Sequence, residues 1–191
     1  GQVIDAAMID GAALLTTFFH AMPLGPRGTN LLDTGAPFYD VYECSDGGYI
    51  SIGALEPQFY ANLRKILGLD ASHWDRQMDR ASWPAQRAEL TDVFKTRTRD
   101  QWCEVFDGVE ACFAPVLTFE EAPVHPHNAY RGTFVEREGF RQPAPSPRFS
   151  RTQARLGRPP ARPGAYTDEI LAELGLTDDE IAGLKAADAV R

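Results

Sequence analysis

Residues 30–60, NLLDTGAPFYDVYECSDGGYISIGALEPQFY, decide how this chain of 191 residues folds. The segments Tyr39–Glu43 and Gly48–Ile52 are rich in apolar and β-branched residues, and they flank Ser45-Asp46-Gly47. Asp-Gly between two such segments predicts a β-hairpin, because a type I′ turn requires positive φ and glycine adopts it at little cost. We therefore predict two antiparallel strands joined by a tight turn.

The second strand leads directly into a predicted helix. Pro57 suits the first helical position, where the missing N–H costs nothing, and Phe59, Leu63 and Ile66 recur at helical spacing. Glu56 lies at the junction, where a carboxylate faces the unsatisfied N–H groups and the positive dipole end of the helix. This placement suits a helix cap and also suits a catalytic carboxylate, so both interpretations stay open.

Composition indicates a globular protein. The chain is 43% hydrophobic and 24% charged, so it can form a core. The net charge of −8 argues against non-specific binding to nucleic acid, and no stretch approaches a membrane span. The three cysteines are an odd number without metal-ligand spacing, which favours reduced thiols and a cytoplasmic location.

Helical and strand patterns continue outside the central stretch. The predicted helices are Val3–Phe19, Glu56–Leu67 ending at Gly68, Trp83–Thr96, Asp100–Phe106, Tyr166–Leu174 and Glu180–Ala187, and the further strands are Phe113–Leu117 and Thr133–Glu136. The hairpin, the helices and the returning strand predict a compact α+β module across residues 38–125. The first helix has a broad apolar face, which requires either another region of the protein or the core of the same domain.

Several segments are predicted to be irregular. Ala21–Thr29 contains the helix-breaking Pro23 and reads as a linker. Gln142–Pro163 is rich in proline and arginine, which predicts an extended connector. His125 and His127 flank a proline without a third ligand at suitable spacing, so we predict a surface loop there and no metal site.

Three sequence blocks resemble those of one family. NLLDTGAPFY, GALEPQFY and WCEVFDGVEACFAPVLTFEEA occur here in the same order as in the α-methylacyl-CoA racemases, which belong to the family III CoA-transferases, the CaiB/BaiF proteins. The similarity extends from GQVIDAAM to DEILAELGLTDDEI. The resemblance implies an α+β and α/β fold: a small α+β domain together with C-terminal elements of a large nucleotide-fold domain.

The resemblance also implies how the chain is divided. Residues 1–29 would end the first pass through the large domain and its linker, 30–132 would form the small α+β domain, and 133–191 would return through the Pro-rich linker to the C-terminal helices of the large domain. A preceding nucleotide-fold region would carry the catalytic His and Asp and most of the CoA-binding surface. Two such chains would wind into an interlocked homodimer, with the active site between the large domain of one subunit and the small domain of the other.

The chemistry implied by the resemblance is racemisation of 2-methylacyl-CoA thioesters. A His and an Asp would remove and return the α-proton through an enolate. Glu56 matches the residue that orients this His, and Leu32, Tyr39 and Leu55 match positions near the acyl pocket. No metal or redox cofactor is expected, because CoA arrives as part of the acyl-CoA substrate. Without the His and the Asp, the 191 residues alone are expected to be inactive.

Two alternatives stay open. A CoA-transferase of the same family would use an Asp nucleophile and covalent acyl and CoA-thioester intermediates. A non-catalytic dimerisation or lid module would share the fold without the chemistry. The residues that precede Gly1 would decide between the racemase and the transferase.

Overall fold

The computed structural model describes residues 1–22, 24–158 and 161–191. The chain divides into two compact units, Gly1–Leu117 and Thr118–Arg191. The first unit contains α1 (Met8–His20), β1 (Tyr39–Glu43), β2 (Tyr49–Gly53), α2 (Pro57–Leu67), α3 (Trp83–Phe94), α4 (Arg99–Val105) and β3 (Phe113–Val116). The second contains α5 (Pro126–Arg131), β4 (Phe134–Arg137), β5 (Phe140–Pro143), α6 (Thr167–Glu173) and α7 (Asp178–Ala186). The mixed α/β class is confirmed, and the domain boundaries implied by the resemblance stay a prediction.

The predicted hairpin is confirmed, with a different turn. β1 and β2 pair antiparallel from Tyr39 opposite Gly53 to Glu43 opposite Tyr49. Of the loop residues only Gly47 has a positive φ, 78°, and its N–H donates to the Cys44 carbonyl at 3.2 Å. A type I′ turn needs two positive φ values, so the connection is a looser loop in which glycine takes the left-handed position.

The two faces of the sheet differ in chemistry. β3 pairs antiparallel with β2, so β2 is the central strand. Tyr42, Ile50 and Ile52 point inward and are buried. They belong to a core that includes Phe38, Leu63, Trp74, Leu90, Phe94, Trp102 and Phe106. Side chains alternate along a strand, so Ser51 and Gly53 lie on the outer face.

Helix boundaries follow local signals where the chain supplies them. Gly68 ends α2 in the left-handed conformation, with φ 66°, as predicted. Thr98 begins α4 with a capping box in which its side chain accepts from the Gln101 N–H at 3.2 Å. Thr177 and Glu180 form the predicted capping box of α7.

The first helix differs from its prediction. It begins at Met8 and not at Val3, and no residue of the helix is buried. Met8, Leu14, Leu15 and Phe18 are 92%, 74%, 71% and 59% exposed. The interpretation as a core helix of the same domain is therefore wrong, and the apolar face has no cover among the described residues.

The second unit contains structure that the sequence patterns did not predict. Residues 126–131, in the predicted surface loop, form α5, because Pro126 suits the first turn and Gly132 ends the helix at φ 56°. β5 pairs with β4 through a turn at Glu138 and Gly139. Arg137 of β4 donates to the carbonyl of Leu156, which lies in the Pro-rich connector, at 3.2 Å. The prolines at 23, 159 and 160 lie outside the described residues.

Within the described ranges, every helix is too short or too polar to cross a membrane.

Candidate functional site

A cleft of about 370 Å³ lies on the outer face of the sheet in the first unit. Its lining comprises Leu32, Thr34, Tyr39, Asp40, Val41, Ser51, Ile52, Gly53 and Cys112. The volume falls at the lower end of the range for small-molecule sites. The outer face of the β-hairpin therefore forms a recess of the size of a small ligand or of one part of a larger ligand.

The end of β2 and the two residues after it are held by hydrogen bonds beside this cleft. The Gly53 N–H donates to the Cys112 carbonyl, and the Ala54 N–H donates to the Phe38 carbonyl, both at 2.9 Å. The Gln77 side-chain amide donates to the carbonyls of Ala54 at 3.1 Å and Leu55 at 2.8 Å. These bonds fix the backbone that leads from the end of β2 to Glu56.

Glu56 occupies the N-cap position of α2, but its carboxylate does not cap the helix. The backbone is extended there, with φ −72° and ψ 145°, and the side chain makes no cap hydrogen bond. The residue is exposed, and its carboxylate has no hydrogen bond or ion pair to the described residues. The interpretation as a plain helix cap is therefore wrong, and the carboxylate is available to another group.

The charge of Glu56 acts on one lining residue of the cleft. Cys112 is exposed and has a left-handed backbone, with φ 50°. Partial desolvation raises the pKa of its thiol, and the negative charges of Glu56 and Glu110 raise that pKa further. The negative charge of Glu56 therefore reaches the thiol of one residue that lines the cleft.

The three predicted acyl-pocket residues do not share one environment. Leu32 and Tyr39 line the cleft, and Tyr39 is 40% exposed. Leu55 is not in the lining, because its side chain packs against the core. The structure thus brings two of the three together, while their role in substrate binding stays a prediction.

Arg87 of α3 holds one wall of the cleft. Its guanidinium forms an ion pair with Asp40 and donates to the carbonyls of Thr34 and Gly35. Asp40 and Thr34 both line the cleft. A single side chain therefore joins α3, β1 and the preceding loop.

The same loop is closed internally by Asn30 and Asp33. The Asp33 carboxylate accepts from the Asn30 side-chain amide at 2.7 Å and from the N–H groups of Asn30 at 2.6 Å and Gly28 at 2.9 Å. These hydrogen bonds lower the pKa of Asp33, and the bond from the Asn30 side chain has the largest effect. Gly35 is required here, because a Cβ on it would lie 2.4 Å from the Asn30 carbonyl oxygen.

The four histidines lie outside the cleft lining. The Nε2 atom of His73 lies 2.7 Å from the Glu89 carboxylate, which also accepts from the Trp74 indole at 2.8 Å. Among the described residues, no group of three potential metal ligands is found.

Sequence reasoning missed four residues that shape the cleft and the adjoining junction: Gly53, Gln77, Arg87 and Cys112. Gly53 was identifiable only as a strand end, and Cys112 only as a thiol. The roles of Gln77 and Arg87 depend on contacts with residues more than 20 positions away. No local pattern indicates such contacts.

The fold and cleft define a mixed α/β protein with a small-molecule recess near a carboxylate that has no partner in the described part of the chain. Residues 1–167 match the model of the family described as CoA-transferase family III. The chain belongs to this family.

The relatives within the family include two mammalian racemases. The chain is 45% identical to the α-methylacyl-CoA racemase of Mus musculus over 192 residues, covering 96% of this chain and 50% of the mouse protein. It is 43% identical to the α-methylacyl-CoA racemase of Homo sapiens over 194 residues, covering 97% of this chain and 50% of the human protein. The chain therefore spans about half the length of the curated relatives it matches.

A solved structure supports the fold. The orthorhombic crystal form of Rv3272 from Mycobacterium tuberculosis has a TM-score of 0.62 and 20% sequence identity. The match covers 88% of this chain and 45% of that chain. At this identity the similarity concerns the fold alone.

Proposed function

We propose that this chain forms part of an isomerase that racemises 2-methylacyl-CoA thioesters. The observation that carries the proposal is Glu56, whose backbone is held at the strand-to-helix junction and whose carboxylate is unpaired among the described residues. The identities of 45% and 43% to two α-methylacyl-CoA racemases support the choice of reaction. The cleft with Leu32 and Tyr39 supports a place for the acyl group.

In this reaction the bond between the α-carbon and its hydrogen breaks, and the proton passes to a base on one face. The thioester carbonyl becomes an enolate, and an acid on the opposite face returns a proton to the α-carbon. In the racemases that this chain resembles, a His and an Asp take these roles. Glu56 would accept a hydrogen bond from the imidazole N–H of that His, which fixes the tautomer and stabilises the imidazolium.

Other features belong to the same proposal. CoA enters as part of the substrate, so the reaction requires no metal or redox cofactor. The exposed apolar face of α1 supports assembly into a homodimer. The free thiols of Cys44, Cys103 and Cys112 favour a cytoplasmic location, and a role in fatty acid metabolism follows from the acyl-CoA substrate.

The experiment uses a chimaera in which this chain replaces the half of the mouse racemase that it matches. The expected result of Glu56→Gln in this chimaera is a loss of about 10- to 1000-fold in turnover, because the amide keeps the shape but loses the charge that supports an imidazolium. Turnover is measured as epimerisation and as exchange of the α-proton with deuterated water.

The matched control is Glu110→Gln, which removes the second carboxylate acting on Cys112. We expect turnover to be unchanged in this control. If Glu56→Gln retains full turnover while its melting temperature falls, Glu56 has only a structural role. If the unsubstituted chimaera folds but exchanges no α-proton, the proposed reaction is wrong.

A CoA-transferase is the second candidate, because the family is described as CoA-transferase family III. Such an enzyme would move CoA from the thioester to a free carboxylic acid through covalent intermediates. The chimaera incubated with an acyl-CoA and a second, labelled acid would then form labelled acyl-CoA. The racemase would instead exchange the α-proton without forming labelled acyl-CoA.

A further inference from the structure

We propose that Gly53 is a specificity-determining residue that sets the depth of the cleft and so limits the bulk of the acyl group. The proposal rests on the proposed function above. Gly53 lies at the end of the central strand, opposite Tyr39 on the neighbouring strand, and both residues line the cleft.

The backbone does not require glycine at this position. Gly53 is absent from the residues with positive φ, whereas Gly47 and Gly68 need that conformation. The Gly53 N–H is used in a strand-end bond to the Cys112 carbonyl at 2.9 Å, which any residue except proline can form.

The space around Gly53 gives a different reason for glycine. An added Cβ would lie 3.6 Å from Tyr39 Cε2, 3.7 Å from Cys112 Cβ and 3.8 Å from the Cys112 carbonyl oxygen. These are ordinary van der Waals distances, so a small side chain fits without displacing its neighbours. It would stand between two lining residues, and it would occupy the volume that glycine leaves empty.

A second small residue, Ser51, lies on the same floor of the cleft. Ser51 precedes Gly53 on the same outer face, and its cross-strand neighbours are Val41 on β1 and Ala114 on β3. The aromatic ring of Tyr39 and the Cys112 side chain both lie within contact distance of the Gly53 position. A cleft with a low floor leaves space for a branched or long acyl chain, and a floor raised by a side chain would leave space only for short acyl groups.

The first test compares two substrates in the chimaera, 2-methylpropanoyl-CoA and 2-methyldecanoyl-CoA, by α-proton exchange. Gly53→Val is expected to lower kcat/KM for the long substrate at least about tenfold more than for the short one, since one methylene in an apolar pocket changes discrimination by about 10- to 200-fold. Gly53→Ala should have a smaller effect in the same direction. Gly183→Ala, where an added Cβ meets nothing within 4 Å, should leave the ratio of the two substrates unchanged.

A second test needs no activity. In the 191-residue chain, the labelling rate of Cys112 is followed by peptide mass mapping with iodoacetamide and with the bulkier N-phenylmaleimide. Gly53→Val is expected to slow labelling by the bulky reagent more than labelling by the small one.

The outcomes of the two tests separate the two proposals. An equal loss for both substrates, or an equal change for both reagents, would overturn the role of Gly53. If no α-proton exchange occurs in the unsubstituted chimaera but the labelling ratio changes, the reaction is wrong and the cleft depth is still set by Gly53.

Discussion

Replacing Arg87 by Met should destabilise the first unit by about 2 kcal/mol. Exposed ion pairs contribute about 0–1 kcal/mol, whereas breaking a buried pair costs about 3–5 kcal/mol. The Arg87–Asp40 pair lies between these limits, because the side chains are 34% and 11% exposed. Methionine keeps the length of the aliphatic stem, so the loss isolates the guanidinium and leaves the carboxylate of Asp40 desolvated.

The measurement is urea unfolding followed by tryptophan fluorescence, since Trp74, Trp83 and Trp102 are buried in this unit. Adding Asp40→Asn to Arg87→Met should recover about 1 kcal/mol, because the unpaired charge is removed. Lys95→Met is the matched control. Lys95 pairs with Glu43 at 2.6 Å, and the two side chains are 44% and 42% exposed, so its loss should cost less than about 1 kcal/mol.

A cost for Arg87→Met no larger than that of Lys95→Met would show that the wall of the cleft is held by other contacts. A double variant that is less stable than Arg87→Met alone would show that Asp40 is satisfied without the guanidinium. Either result would refute the role of Arg87 in holding the cleft wall.

Three further results are expected. The 191-residue chain alone should not exchange the α-proton of a 2-methylacyl-CoA above background, since its cleft lining contains no histidine; exchange catalysed by the purified chain would contradict this. Light scattering at micromolar concentration should show dimers or larger species, because Leu14 and Phe18 expose apolar area on one face of α1. Replacing both residues by Glu should yield a monomer. A monomeric unsubstituted chain would be inconsistent with this role of α1. The pKa of Asp33 is lowered in the folded state, so the ionised carboxylate should stabilise the fold fully above its unfolded pKa of about 3.9. This stabilisation should be lost as the pH falls through the lower folded pKa. Asp33→Asn should therefore flatten the pH dependence of urea unfolding in this range, and an unaltered pH dependence would exclude the contribution.

Local signals account for the parts of the fold that were predictable from sequence. The strand-to-helix junction was predictable because Pro57 and Gly68 mark the two ends of α2. The strand β1 was predicted with its observed bounds, and the predicted bounds of β2 begin and end one residue before the observed ones. In each case the residues that determine the conformation are adjacent in sequence.

The remainder depended on distant contacts. The strand β5, with the sequence FRQP, carries no β-branched residues and forms by pairing with β4. The apolar pattern of α1 predicted its helical character but not its exposure. Glu56 could be located from sequence, but whether its carboxylate capped the helix depended on a side-chain orientation that spacing does not determine.

The fixed junction has a thermodynamic consequence for Glu56. Its backbone is immobilised by the Gln77 amide and by the bonds of Gly53 and Ala54, so the freedom that remains to the carboxylate lies in its side-chain torsions. Ordering a side chain of this length costs up to about 1.5–2 kcal/mol of conformational entropy. A partner group that hydrogen-bonds the carboxylate must offset only this loss of side-chain entropy. The conformational entropy of the Glu56 backbone is already lost when the chain folds.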